Sequence, residues 1–122
     1  MDSAVKSILV VDDERDICDL LSLELIDQGF TYFIAHSVAE AVKILKNSPV
    51  DLVITDIRMP HKSGIDLLHE LRLTNRKLPV VFMTGFSDLS EAEAMRMGAS
   101  AVVAKPFEMS EMVKVCASLL DH

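Results

Sequence analysis

Ile8-Leu9-Val10-Val11-Asp12-Asp13 is a short aliphatic run that stops on two adjacent carboxylates. A run of this kind reads as a buried strand, and its ending is echoed twice further along the chain. Val50-Asp51-Leu52-Val53-Ile54-Thr55 runs into Asp56, and Ala101-Val102-Val103-Ala104 runs into Lys105-Pro106. In a parallel sheet covered by helices, the carboxyl ends of the strands open onto one crevice, which is where such folds bind ligands. Three carboxylates and one ammonium are expected to meet there.

Outward from this stretch, β-branched runs alternate with segments of helical spacing, five times over. The spacing predicts strands near 7–11, 31–35, 51–55, 80–83 and 101–104, and helices near 14–28, 38–47, 64–73, 88–97 and 108–120. Ser37-x-x-Glu40 and Ser90-x-x-Glu93 fit capping boxes, the second in competition with an earlier start at Ser87, and Gly29 and Gly98 stand where helices should stop. Ser48-Pro49 and Leu78-Pro79 break the chain just before two strands. The third and fifth strands are almost wholly apolar, as expected of strands covered on both faces. The expected fold is α/β, a doubly wound five-stranded parallel sheet in a three-layer sandwich with right-handed crossovers.

The 122 residues suit one domain, expected to span 1–122, large enough to bury a core without disulfides or a structural metal. Half the residues are hydrophobic and a quarter charged, the balance of a globular chain. No apolar stretch is long enough to span a bilayer, and no secretory leader opens the chain, so no membrane association and a cytoplasmic location are expected. A net charge of −7 argues against direct nucleic-acid binding and for protein partners. Cys18 and Cys116 fall in helical patterns with no metal-ligand spacing, and are expected as buried or half-buried free thiols.

A single Asp after a strand is most often a helix cap or turn former. The combination of Asp12, Asp13, Asp56, Thr84 and Lys105, all at strand ends, changes that weighing. Gathered carboxylates repel one another, and a hard divalent cation with oxygen ligands relieves the repulsion, magnesium above all. With that charge absorbed, Asp56 can act as nucleophile toward a phosphoryl group, while Lys105 and Thr84 stabilise its equatorial oxygens.

Val10-Val11-Asp12-Asp13-Glu14, Asp56-Ile57-Arg58-Met59-Pro60 with Gly64, Met83-Thr84-Gly85 and Lys105-Pro106-Phe107 together resemble the receiver domain of bacterial two-component response regulators, in particular single-domain regulators of the chemotaxis type. The resemblance covers essentially the whole chain, in order and at the right spacing. It implies a (βα)5 flavodoxin-like fold in which Asp56 accepts a phosphoryl group from a histidine kinase or histidine phosphotransfer protein. It further implies Mg2+ held by Asp13 and Asp56 directly, by Asp12 through water, and by the backbone carbonyl of Arg58. Lys105 would pair with the phosphoryl oxygens, Thr84 would hydrogen-bond them, and the Lys105-Pro106 peptide would be cis.

Such receivers often carry an aromatic three residues before the lysine, where this chain has Val102. With no ring to swing, the signal would travel through the loop after Thr84, through helix movement or through site occupancy. Arg58 and Phe86, two residues past Asp56 and Thr84, would flank the path of the attacking water and set the lifetime of the phosphoryl group.

The first helix carries more apolar residues than one buried face needs, among them Ile17, Leu20, Leu23 and Ile26. Ile17 and Leu20, with Phe86 and Pro106, are expected to form an apolar rim on which a phosphodonor helix docks. Met83, Met95, Met97, Met109 and Met112 read as core filling, and the four histidines show no metal-ligand spacing.

Three functions compete. The first is a signalling phosphoacceptor, with only self-phosphorylation and autodephosphorylation as activities, read by a downstream effector or an output domain absent from this chain. It would be monomeric, or weakly dimeric when phosphorylated. The second is a phosphorylation-independent binding module of the same fold. The third is an aspartyl-phosphate phosphatase, disfavoured because such enzymes usually place an acid two residues after the nucleophile, where Arg58 stands.

Overall fold

Strands and helices alternate strictly: β1 (Ser7–Val11), α1 (Arg15–Asp27), β2 (Thr31–Ala35), α2 (Val38–Asn47), β3 (Leu52–Asp56), α3 (Gly64–Thr74), β4 (Val80–Thr84), α4 (Glu91–Met97), β5 (Ala101–Ala104) and α5 (Met109–Leu120). The structure is a computed structural model that describes residues 5–74, 77–85 and 90–120. All strand pairs are parallel, in the order β2-β1-β3-β4-β5. The expected doubly wound α/β sandwich is the fold, of the flavodoxin-like kind.

The period-two alternation of each strand divides the core into two layers. Leu9, Val11, Val53, Val80 and Phe82 face one way and pack with Ala41, Leu67, Leu71 and Ala94 from α2, α3 and α4. Ile8, Val10, Leu52, Ile54, Val81 and Met83 face the other way and pack with Leu21, Leu25, Met112 and Cys116 from α1 and α5. Each buried aliphatic side chain contributes on the order of 2 kcal/mol, so both layers are needed to offset chain entropy.

Capping follows the local chemistry. The Ser37 side chain accepts from the Glu40 amide, while the Glu40 carboxylate reaches the amide of His36 instead of closing the box on Ser37. Ser90 and Glu93 form the full reciprocal box, and Gly98, in the left-handed region, ends α4. The competing start at Ser87, and positions 88–89 of the expected fourth helix, lie outside the described residues.

Further expectations need correction. Met95 and Met97, expected as core filling, are exposed. Asp51 is not in β3; its carboxylate accepts from the Ser7 amide and ties the start of β1 to the chain entering β3. Asp56 and Thr84 are the last residues of their strands, not the first of the loops. β5 is only half-buried, because it lies at the edge of the sheet with β4 as its single neighbour, whereas every residue of β3 is buried. Both cysteines are buried free thiols, pushed by burial up to about 11 for Cys18 and about 12 for Cys116.

Candidate functional site

The strand order reverses between β1 and β3, and the crevice of such a sheet opens beyond that switch point. Asp12 and Asp13 follow β1, and Asp56 closes β3. A carboxylate oxygen from each lies within 4.8 Å of the others, so the structure brings the three acids into one cluster. At an effective dielectric near 20, two unit charges this far apart repel by about 3 kcal/mol.

The cluster is half-sunk. Asp12 and Asp56 are buried and Asp13 is exposed. Burial pushes Asp12 up to about 6, against the lowering effect of the Glu14 amide and of Lys105. Asp56 is also raised, chiefly by burial, with Lys105 pulling the other way. One Asp12 oxygen, Oδ1, accepts from the Glu14 amide at 3.0 Å, while the other, Oδ2, is buried with no hydrogen-bond partner among the described residues.

Lys105 enters from the far side. The cis Lys105-Pro106 peptide follows β5, and the Lys105 amide donates to the carbonyl of Thr84, which fixes its backbone to β4. Its ammonium lies 3.2 Å from Asp56 Oδ2, 3.2 Å from Glu14 Oε1 and 3.6 Å from Asp12 Oδ2. Burial lowers the Lys105 pKa, but the surrounding carboxylates outweigh it and the net shift is upward, so the site keeps a fixed cation. Thr84 is buried beside it, paired in register with Ala104.

Behind Asp56 the chain is tightly held. The Ile57 amide donates to Met83 O at 3.2 Å and the Gly64 amide to Ile57 O at 2.9 Å. A Cβ on Gly64 would overlap the carbonyl oxygen of Asp56, so only glycine allows α3 to start this close. Arg58 is exposed, and His61, further along the same loop, has a φ of +72°.

Of the expected docking rim, Ile17 and Pro106 line one open cleft of about 450 Å³ together with Glu14, Lys105, Phe107 and Met109. Leu20 is exposed but does not line it. Phe86 lies outside the described residues. Val102 packs against the α2–α4 layer.

Two neighbours of the site were not singled out by sequence reasoning. Glu14 stands out in the sequence only as part of a motif, yet its carboxylate pairs with Lys105. His36 places Nδ1 2.9 Å from the Asp12 carbonyl oxygen and Nε2 3.3 Å from the Arg15 guanidinium. With the guanidinium donating to Nε2, Nδ1 carries the proton and donates to Asp12 O, bracing the backbone of the acidic pair. Neither contact had a sequence signal, since both depend on which strands are neighbours.

The donor set suits a small hard cation: carboxylates only, one of them exposed, and one buried oxygen that has the Lys105 ammonium at 3.6 Å but no hydrogen-bond partner among the described residues. Among the described residues no helix is long and apolar enough to cross a membrane.

Residues 8–117 match the family model described as the response regulator receiver domain. The chain is 39% identical over 118 residues to the transcriptional regulatory protein CpxR of Klebsiella pneumoniae, covering 95% of this chain and 50% of that protein. It is 37% identical over 111 residues to the regulatory protein AtoC of Escherichia coli, covering 90% of this chain and 24% of that one. The chain thus spans half or less of these relatives. Among solved structures, the response regulator TrrA of Thermotoga maritima, in complex with Mg2+-BeF, superposes with a TM-score of 0.85 at 34% identity, covering 95% of this chain and all of the other. A response regulator from Chloroflexus aurantiacus gives 0.87 at 31% identity, covering 98% and 100%.

Proposed function

The chain belongs to the response regulator receiver domain family, the phosphoacceptor module of two-component signalling, and on that footing we propose that Asp56 takes a phosphoryl group from a phosphohistidine. The donor would be a histidine kinase or a histidine phosphotransfer protein. The observation that carries this reading is the cluster itself: three strand-end carboxylates held together against their own repulsion, with one ammonium on Asp56.

In the transfer, a carboxylate oxygen of Asp56 attacks phosphorus, the oxygen–phosphorus bond forms as the nitrogen–phosphorus bond breaks, and the imidazole leaves with the electron pair. Asp12, Asp13, Asp56 and the Arg58 carbonyl would hold Mg2+, which supplies charge neutralisation for the acids and the transferred group. Lys105, already 3.2 Å from Asp56, is placed to follow charge onto the phosphoryl oxygens. Thr84, at the end of the neighbouring strand, would supply a hydroxyl to the transferred group. Ile17 and Pro106, with Phe107 and Met109, form the apolar cleft that would seat the donor helix, and Leu20 would extend it along α1.

The same proposal includes autodephosphorylation tuned by Arg58, a cytoplasmic location, and read-out by a separate effector or a fused output domain, with any phosphorylation-dependent dimerisation weak. Intact-protein mass after incubation with acetyl phosphate tests the reaction. A phosphate-sized gain that needs Mg2+ is expected for the wild type and for Arg58→Ala, with different decay rates. No gain in the wild type, from acetyl phosphate or from a phosphorylated histidine donor, would defeat the reading.

A further inference from the structure

Two apolar surfaces of opposite electrostatic character lie on opposite faces of the sheet, away from the strand-end crevice. On the outward side of α1, Leu20, Leu23 and Ile26 are 51%, 66% and 56% exposed. Helical geometry sets them between about a quarter and about half of a turn from the buried Cys18, Leu21 and Leu25, and puts the exposed Asp16, Asp19 and Asp27 among them. This face is greasy and acidic.

On the other face, α2 and α3 line a groove of about 540 Å³ with Val42, Leu45, Leu67 and Leu71. Leu73, 85% exposed, stands at its edge. Lys46 lines the wall and Lys43 lies one turn earlier on the same exposed edge of α2, while the opposing Glu70 is paired with Lys62 at 3.8 Å. In a chain of net charge −7 this groove is apolar with a basic lip.

We propose that the α2–α3 groove binds the outward face of α1 from a second copy of this chain. The fit is double: a ridge of three large aliphatics for an apolar groove, and three aspartates for two lysines. Because the two surfaces back onto opposite faces of one sheet, no copy can satisfy itself, and the contact is head-to-tail. A head-to-tail contact does not close after two subunits, so assembly continues past the dimer into rings or open chains. The contact is weak, salt-sensitive and independent of Asp56 chemistry.

Sedimentation equilibrium of the full chain, without phosphodonor and up to millimolar concentration, tests this. The expected weight-average mass rises from the 13.5 kDa monomer past the dimer value and falls back in high salt. Lys43→Glu with Lys46→Glu, or Leu23→Ser with Ile26→Ser, weakens association by roughly tenfold or more. All four positions are exposed, and unchanged melting curves verify folding. Mixing the two variant proteins gives a 1:1 heterodimer and nothing larger, since each retains one working surface. Adding Asp19→Lys and Asp27→Lys to the lysine-reversed protein restores assembly. A monomer at every concentration, a mass that stops at the dimer, or association untouched by either pair of substitutions would overturn the proposal. Asp56→Ala assembles like the wild type, so loss of phosphorylation leaves the outcome unchanged.

Discussion

Asp56 and Lys105 face each other across 3.2 Å, yet the backbones that present them are opposites. β3, which ends in Asp56, is hydrogen-bonded on both sides, is buried at every residue, and has α3 starting against the Asp56 carbonyl. β5, which leads to Lys105, is an edge strand with one neighbour, and both residues flanking Lys105 are exposed. Asp56 is set in a wall paired on both sides, and Lys105 follows a strand paired on one. In the proposed transfer the nucleophile benefits from a fixed position, whereas the ammonium would pass from a carboxylate to a phosphoryl oxygen.

The doubly paired side should break first. Gly64→Ala forces the Asp56 carbonyl and α3 apart and is expected to lower unfolding free energy by about 3 kcal/mol. Ala104→Val, on the exposed end of β5, should stay within about 0.5 kcal/mol. Urea melts of the two variants compare the walls directly, and equal losses would erase the contrast.

Charge should sharpen it next. Asp12 has its folded pKa raised to about 6 from 3.8, so the folded state holds the proton more tightly and ionisation opposes folding. Stability from this group is therefore full below pH 4 and lost as pH rises through 6. In metal-free buffer at pH 7, Asp12→Asn should gain on the order of 2 kcal/mol, with no gain near pH 3. Lys105→Met should lose about 1 kcal/mol at pH 7 by leaving two buried carboxylates less balanced, and nothing once they are protonated. Smallest of all, Glu14→Gln removes a pair whose acid is 60% exposed and should change stability by less than about 0.5 kcal/mol. Thermal melts across pH, with and without magnesium, check all three.

The βα alternation was readable because each element carries its own period, and the strand ends were readable because apolar runs stop abruptly on charged residues. What the sequence could not tell was depth. Ala101-Val102-Val103-Ala104 is as apolar as a central strand, but its burial depends on strand order, which is set by pairings far away in the chain. The same limit hid His36 behind Asp12 and Glu14 beside Lys105, contacts that join residues 24 and 91 positions apart. Ile17 and Pro106 line one cleft, while Leu20 is exposed on α1 outside its lining.

The central claim is that Asp56, and neither of its two acidic neighbours, takes the phosphoryl group. Borohydride converts an aspartyl phosphate to homoserine, so peptide mapping of acetyl phosphate-treated, borohydride-reduced protein locates the acceptor. Conversion at Asp56 alone, with Asp12 and Asp13 intact and the product absent without magnesium, is the predicted result. Conversion at Asp12 or Asp13, or none at Asp56 in protein whose mass shows it to be phosphorylated, would contradict it.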